Sequence, residues 1–325
     1  MNAAYRLSTA LVAFLTVAAP ALAQDWPLRP MTMIVAFPAR GSDDILARIL
    51  APHLSEFLGQ PVTVENVGGS GGMTGTSRVA KAAPDGYEFM LGTSATHALS
   101  QVLYRNPPYR SAEDFTPVAL VAEQPFVLIA RKELPGRLQD FIAVAKAHGA
   151  PMQFASAGTG SATHLVCALV SVAAGVKAKH VPFNGGAPAM EELIAGRIDY
   201  FCPVITIAIP QIENQKVKGV AVLTKSRSAA LPDLPSAQEQ GLEGFSANTW
   251  FAIFLPKAAP APVVRKLYAA AAAAMDNPTV KARLKEIGAD LVAPERRTSD
   301  YLKDLLQSDI KKWSNAIKAA DLPVN

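Results

Sequence analysis

The sequence predicts two α/β domains that face each other like the halves of a clamshell, with mostly parallel sheets. Short β-rich runs alternate along the chain with amphipathic helical stretches, which is typical of repeated βα units. The length of 325 residues exceeds what one hydrophobic core usually holds, so two domains are expected. Two extended runs meet at residues 123–125, where we expect the chain to cross between the domains.

The first series of elements opens with an apolar strand over residues 31–37, which ends at Pro38. Apolar residues then recur at helical spacing, and this pattern predicts a helix over residues 43–58. Further strands are predicted over residues 62–66 and 89–92. These elements start the first domain.

The second series of βα units begins at the predicted crossing. Strands are predicted over residues 117–122, 126–131, 153–155, 179–182, 199–202 and 219–223, and helices over residues 138–148, 161–174, 187–195 and 207–215. A strand within residues 244–254 is expected to return to the first domain, and helices over residues 263–275, 279–287 and 298–320 to close on it. We therefore assign residues 24–124 and 247–325 to domain 1, and residues 125–246 to domain 2.

The N-terminus has the pattern of a cleaved secretory signal over residues 1–23. Arg6 provides the positive charge, residues 7–22 form an apolar run rich in alanine, and Ala21-Leu22-Ala23 fits the small-residue cleavage pattern. The alternative is an uncleaved anchor, which is disfavoured because the run is short for a membrane span. The mature chain is therefore expected outside the cytoplasm.

The formal net charge is +4, and the basic residues are scattered along the chain. Nucleic acid is not an expected partner, because no Lys/Arg run with interleaved aromatic residues is present. A mildly basic chain suits an anionic small ligand.

The chain has two cysteines, Cys167 and Cys202. An oxidising compartment permits a disulfide, but two buried free thiols are the favoured interpretation because free cysteine is commonly buried. Two cysteines without clustered histidines predict no metal site. The motifs that hold nucleotide cofactors are also missing from the sequence, so no cofactor is expected.

Four loops that follow predicted strands are rich in small and polar residues. Sheets of this kind bind ligands where strands end and the next helices begin, and Gly, Ser and Thr offer backbone amides and hydroxyls to an anion there. The candidate ligand-binding residues are Ala39, Arg40, Gly41, Ser42, Asp43, Thr93, Ser94, Thr96, Ser156, Gly158, Thr159, Gly160, Ser161, His164, Asn184, Gly185 and Gly186. Each loop alone fits a simple capping turn; their repetition in corresponding positions favours one shared site.

Residues 68–72 match the G-x-S-x-G turn of serine hydrolases, with Ser70 as the nucleophile. Such enzymes need a histidine later in the chain, usually near its end, and the last histidine here is His180. Repeated glycines also make a chance match easy. A secreted hydrolase is therefore the weaker alternative, and no enzymatic activity is expected.

Short motifs follow one another over nearly the whole mature chain. They include WPLRP at residues 26–30, VAFP at 35–38, GGMTG at 71–75, PDGY at 84–87, DFTPV at 114–118, HVPF at 180–183, GGAPA at 185–189 and GRID at 196–199. In this order they resemble the solute receptors of tripartite tricarboxylate transporters, also called Bug or TctC-like proteins and grouped as UPF0065.

The resemblance implies a type II periplasmic-binding-protein fold that opens and closes around its ligand. It also implies a periplasmic protein that captures a small organic carboxylate, a di- or tricarboxylate. We expect this protein to be a monomer, and an aromatic acid is among the expected ligands. The ligand would pass to an integral-membrane permease with one large and one small subunit. A role as the ligand-sensing partner of a membrane signalling protein shares this fold and is the second alternative.

The first loop departs from the family pattern. The family usually has Pro-Gly-Gly here, whereas this chain has Ala39-Arg40-Gly41. A guanidinium group beside the crevice can hold a carboxylate through two hydrogen bonds. We therefore predict a dianionic ligand with Arg40 bound to one carboxylate; a solvent-exposed Arg40 is the alternative.

Overall fold

The computed structural model describes residues 26–319, and the signal peptide predicted over residues 1–23 lies outside this range. The described chain folds into two α/β lobes, each built on its own sheet. Between residues 26 and 319, no helix is both long and apolar enough to cross a membrane.

The predicted strands and helices correspond to observed elements, with ends that differ by a few residues. The strands are β1 (Met31–Val35), β2 (Val62–Asn66), β3 (Glu88–Thr93), β4 (Phe115–Pro125), β5 (Val127–Arg131), β6 (Met152–Ser156), β7 (Ala178–Pro182), β8 (Tyr200–Phe201), β9 (Val217–Val222), β10 (Asn248–Pro256) and β11 (Asp290–Leu291). The helices are α1 (Ser42–Leu58), α2 (Met73–Ala80), α3 (Ser100–Leu103), α4 (Ser111–Asp114), α5 (Leu138–Ala147), α6 (Ala162–Ala174), α7 (Gly186–Ile194), α8 (Ile205–Glu213), α9 (Ala261–Asp276), α10 (Pro278–Glu286) and α11 (Ser299–Ala319).

The first lobe is built on a six-stranded sheet with the order β11-β4-β10-β3-β1-β2. β1 runs parallel to both of its neighbours, β2 and β3. β10 pairs antiparallel with β3 and β4, and β11 pairs antiparallel with β4. β10 is the strand that was predicted to return to the first domain, so that prediction is confirmed.

The second lobe is built on a five-stranded sheet with the order β7-β6-β8-β5-β9. β6 runs parallel to β7 and β8, whereas β5 runs antiparallel to β8 and β9. Both sheets are therefore mixed, which corrects the prediction of mostly parallel sheets. The reason is that β4, β5 and β10 carry the chain between the lobes without the helical crossover that parallel neighbours require.

Backbone hydrogen bonds join the chain segments that connect the two sheets. The Phe126 N–H donates to the Ala247 carbonyl at 3.2 Å, and the Leu223 N–H donates to the Phe126 carbonyl at 2.8 Å. The Ala247 N–H donates in turn to the Leu223 carbonyl at 2.7 Å. β4 continues as far as Pro125 because its ladder with β10 extends to Asn248. The crossing point therefore lies at Phe126, just after the predicted one.

The C-terminal helices close on the first lobe. α9 packs against α1, and α11 packs against β4. The alanine run of α9 buries Ala270, Ala271 and Ala274, whose small side chains permit a close approach of the helices. Trp250 on β10 donates its indole N–H to Asp309 on α11 at 2.9 Å. These contacts attach the end of the chain to the first sheet.

Cys167 on α6 and Cys202, which follows β8, form a disulfide with Cα atoms 5.4 Å apart. The favoured prediction of two free thiols is therefore wrong. β8 pairs with β6 and α6 packs on β6, so the fold brings both fully buried cysteines together. This Cα separation lies in the range that a disulfide requires. Their separation of 35 residues along the chain gives no sign of this proximity.

Reduction of the Cys167–Cys202 disulfide is expected to lower the free energy of unfolding by about 3–4 kcal/mol, because the unfolded chain regains the entropy of an open loop. Urea unfolding of the wild type with and without a reductant measures this difference. The matched control is the double variant Cys167→Ala/Cys202→Ala, whose unfolding should not respond to the reductant. If the unfolding of the wild type does not respond to the reductant either, the disulfide is contradicted.

Candidate ligand-binding cleft

A cleft lies between the two lobes, with walls from both sheets. Its lining includes six of the predicted residues, namely Gly41, Ser42, Asp43, Thr93, Ser161 and Gly186. The other lining residues are Phe37, Pro38, Ala95, Phe126, Ala157, Ala162, Thr163, Val204, Ile207, Thr249 and Phe251. The cleft is therefore the place where the loops predicted from sequence meet.

Three helices begin at the wall of the cleft. α1 starts at Ser42, α6 at Ala162 and α7 at Gly186, and each of these residues lines the cleft. The first N–H groups of a helix have no acceptor within the helix, and the helix dipole places partial positive charge there. One helix comes from the first lobe and two come from the second. The first N–H groups of these helices therefore lie at one space with walls from both lobes, which favours an anion. At α6 one of these groups, the His164 N–H, already donates to the Ser161 hydroxyl at 3.3 Å.

The loop between β1 and α1 is held by carboxylates of its own helix. Asp44 accepts a hydrogen bond from the Arg40 backbone N–H at 2.8 Å and another from Arg48 Nε at 2.8 Å. Ser42 donates its hydroxyl to Asp43 at 3.0 Å. Burial raises the pKa of Asp43 to about 6; the hydrogen bond from Ser42 opposes this rise, and the charge of Asp44 adds to it. Asp43 thus brings an acid of unusually high pKa to the cleft.

Arg40 is exposed, as is Ala39, and neither residue lines the cleft. Its backbone has φ of 67°, a left-handed conformation that glycine adopts without strain. This exposed position outside the cleft lining favours the alternative of a solvent-exposed Arg40 over its predicted pairing with a ligand carboxylate.

The loop after β3 places Thr93 in the cleft wall and keeps Ser94 and Thr96 behind it. The Thr96 hydroxyl accepts a hydrogen bond from the Thr93 N–H at 2.9 Å and contacts His97 Nδ1 at 2.9 Å. The hydroxyls of Ser94 and Thr249 lie 2.9 Å apart. Burial lowers the pKa of His97 to about 3, so this ring is neutral. Ser94 and Thr96 therefore support the wall and do not face the cleft.

The loop between β6 and α6 is supported from behind by two histidines. Ser156 Oγ and His180 Nε2 lie 2.6 Å apart, and the His164 and His180 rings stack with centroids 3.9 Å apart. His164 Nδ1 accepts a hydrogen bond from the Gly160 N–H at 3.3 Å. Burial lowers the pKa of both rings, that of His180 to about 4 with help from the adjacent His164. Ser156 and His164 shape the loop, whereas Ser161 reaches the cleft.

The other predicted residues lie beside the cleft, where the lobes touch. Gly158, Thr159 and Asn184 line an adjoining cavity. At Gly160 an added Cβ would overlap the Tyr104 hydroxyl of the first lobe, and at Gly185 it would lie 3.1 Å from Pro38 Cγ. Tyr104 also donates its hydroxyl to the Thr159 carbonyl at 3.3 Å. Gly160 and Gly185 therefore permit contact between the lobes.

Ser70 does not form the constellation of a serine hydrolase. It begins a short 3₁₀ turn, Ser70–Gly72, and lines the adjoining cavity. Within residues 26–319, the histidine side chains with hydrogen-bond partners contact Thr96, Ala150, Ser156 and Gly160. None of these partners is Ser70, so no histidine side chain among the described residues is hydrogen-bonded to it.

Sequence reasoning missed the apolar part of the cleft. Phe126, Val204 and Ile207 come from the crossing and from the start of α8, and Thr249 and Phe251 come from β10. These positions are far apart in the chain, and nothing in the sequence distinguishes them from ordinary buried residues. One sequence feature could have indicated an apolar wall: Phe37 and Pro38 follow β1 and directly precede the first loop.

Two lobes joined by strand crossings, with a cleft lined by loops from both, define a solute-binding protein of the periplasmic type. The family model described as "Tripartite tricarboxylate transporter family receptor" matches residues 46–322. The chain belongs to this receptor family.

Curated relatives and solved structures agree with this assignment. A UPF0065 protein of Agrobacterium vitis is 38% identical over 92% of this chain and 87% of its own. The structure of MatC from Rhodopseudomonas palustris with bound malate is 37% identical, with a TM-score of 0.86 over 90% of this chain and 100% of that one. The periplasmic binding protein BugD is 35% identical, with a TM-score of 0.87 over 92% and 99% of the two chains.

The high pKa of Asp43 predicts a pH-dependent cost in stability. The pKa is about 6 in the folded protein and 3.8 for a free side chain, so the folded state disfavours the charged form. The loss of stability caused by burying the charged Asp43 carboxylate is complete above pH 6 and disappears as the pH falls toward 4. Asp43→Asn is therefore expected to raise the free energy of unfolding by about 1–2 kcal/mol at pH 8 and to leave it unchanged at pH 4. Urea unfolding at both pH values measures this, and an equal gain at both would contradict it.

Proposed function

We propose that the protein binds a small organic carboxylate in the cleft between its lobes and does no chemistry on it. The observation that carries this proposal is the meeting of three helix starts, at Ser42, Ala162 and Gly186, in one cleft. Ser42 and Ser161 line this cleft from opposite lobes, and the Ser42 hydroxyl itself is donated to Asp43. The bound malate of MatC supports a carboxylate as the ligand, because MatC shares both family and fold with this chain.

The two lobes are proposed to close on the ligand as hinged bodies. Residues 24–124 and 247–325 form one body, and residues 125–246 form the other. The distribution of strands between the two sheets supports this division, with β1–β4, β10 and β11 in one sheet and β5–β9 in the other. The crossing at Phe126 and Ala247 is the natural hinge, because few residues there need to change conformation.

The site of action is proposed to be the periplasm, after removal of residues 1–23. The secretory pattern of the sequence and the periplasmic location in the name of BugD support this assignment. Membership in a receptor family of tripartite transporters supports delivery of the ligand to a membrane permease with a large and a small subunit. The protein would act as a monomer, without a cofactor.

The main test is calorimetric titration of the mature protein with mono-, di- and tricarboxylates, together with X-ray scattering. At least one acid is expected to bind in a one-to-one ratio and to reduce the radius of gyration, because closure brings the lobes together. Arg40→Ala should bind that acid within about twofold of the wild type at physiological salt, since an exposed rim charge is screened. A protein that binds no organic acid, or that converts one, would refute the proposal.

Closure also predicts an effect of Gly160→Ala. The new Cβ would overlap Tyr104 of the first lobe and hold the lobes apart, so the affinity for the acid is expected to fall about tenfold or more. Gly196→Ala is the matched control, because Gly196 has a similar φ of 74° and has no atom within 4 Å of an added Cβ. The double variant Tyr104→Ala/Gly160→Ala should bind better than Gly160→Ala alone. Equal affinities of the two glycine variants would contradict the overlap.

A further inference from the structure

The wall of the cleft contains an acid in mainly apolar surroundings. Asp43 lines the cleft from the second position of α1, and Phe37, Phe126 and Ile207 line the same space. Burial raises the pKa of Asp43 to about 6, so its carboxylate is still ionised at neutral pH. A charged group in such surroundings is costly unless a group of opposite charge pairs with it.

The cleft lining supplies no such partner. Among the described residues that line it, Asp43 is the one with an ionisable side chain. Its hydrogen bond at 3.0 Å comes from the Ser42 hydroxyl, which is a neutral donor. Of the nearby basic residues, Arg48 pairs with Asp44 at 2.8 Å, and Arg40 is exposed and lies outside the lining. No residue of the described lining therefore balances the charge of Asp43.

The two lobes present opposite charges to the cleft. The first lobe contributes the carboxylate of Asp43, which also counters the partial positive charge at the start of its own helix, α1. The second lobe contributes the starts of α6 and α7, at Ala162 and Gly186, where the helix dipoles place partial positive charge. The cleft therefore suits a ligand that is negative at one end and positive at the other.

We infer that Asp43 selects a ligand with an amino group beside its carboxylate, which makes the ligand an amino acid. The ammonium group pairs with Asp43, and the carboxylate lies at the starts of α6 and α7. The apolar walls strengthen the pair, because charges interact more strongly where water is excluded. The assignment rests on the proposed function and leaves room for a second carboxylate. It also agrees with the malate bound to MatC, since aspartate is malate with an ammonium group in place of the hydroxyl.

The test compares acids that differ only in an amino or a hydroxyl group. Aspartate with malate, glutamate with 2-hydroxyglutarate, and phenylalanine with 3-phenyllactate are titrated calorimetrically into the mature protein at pH 8. At least one amino acid is expected to bind about tenfold or more tightly than its hydroxy acid. If the tightest ligand in these pairs and in the wider carboxylate screen carries no amino group, the inference is overturned while the proposed function stands. If no acid binds at all, both are refuted.

Asp43→Asn removes the charge and keeps the shape of the side chain. The variant is expected to lose about tenfold in affinity for the amino acid and to bind the hydroxy acid as well as the wild type or better, because a repelling charge is gone. Glu56→Gln is the matched control, since it removes the same charge from a side chain that is 83% exposed near the other end of α1. A folded Asp43→Asn protein with the wild-type preference would contradict the inference.

Proton exchange at pH 6 gives an independent measurement. About half of the Asp43 side chains carry a proton at this pH, because the pKa is about 6. A bound ammonium group favours the ionised form, so the amino acid is expected to release up to about half a proton, whereas a purely anionic acid favours uptake. His164 and His180, behind the loop that precedes α6, have lowered pKa values and remain neutral. Calorimetry in two buffers of different ionisation enthalpy measures the exchange, and release that persists in Asp43→Asn would contradict the inference.

Discussion

The structure depends on three helices that begin at the wall of one cleft. Each helix begins directly after a strand loop, and its first N–H groups have no acceptor inside the helix. One start belongs to the first lobe and two belong to the second. In the proposed closure, an anion binds best when the lobes are together and stabilises the closed form by its greater affinity for it. The strand crossing at Phe126 is the hinge proposed for that motion.

Asp43 introduces a negative charge where an anion is expected to bind, and its surroundings show how the fold tolerates it. Arg48 pairs with Asp44 on the neighbouring position of α1, so no guanidinium neutralises Asp43 directly. The hydrogen bond from the Ser42 hydroxyl stabilises the charged form of Asp43 only in part. The pKa of Asp43 is therefore unusually high. A cleft that contains one acid and no cation selects its ligand mainly through donor geometry and shape, because long-range attraction is weak.

Much of this could be predicted from the sequence, since local patterns determine strands, helices and the loops between them. The loops at Gly41–Asp43, Thr93, Ser161 and Gly186 were predicted and do line the cleft. Local patterns carried no information about Phe126, Val204 or Phe251, which reach the cleft only through the crossing of the strands. The Cys167–Cys202 pairing depends on which strand α6 packs against, and the rim position of Arg40 depends on a single left-handed φ. Such features follow from tertiary geometry.

The glycines of the cleft loops have a second role besides opening amides to an anion. An added Cβ at Gly71 would lie 2.9 Å from the Thr159 carbonyl of the other lobe, and one at Gly185 would crowd Pro38. Backbone atoms of the two lobes thus meet directly beside the cleft, which any larger side chain would prevent. The glycines therefore permit the close approach of the two lobes in this structure. A larger side chain at these points would hold the lobes further apart beside the cleft, so the spacing of its walls depends on them.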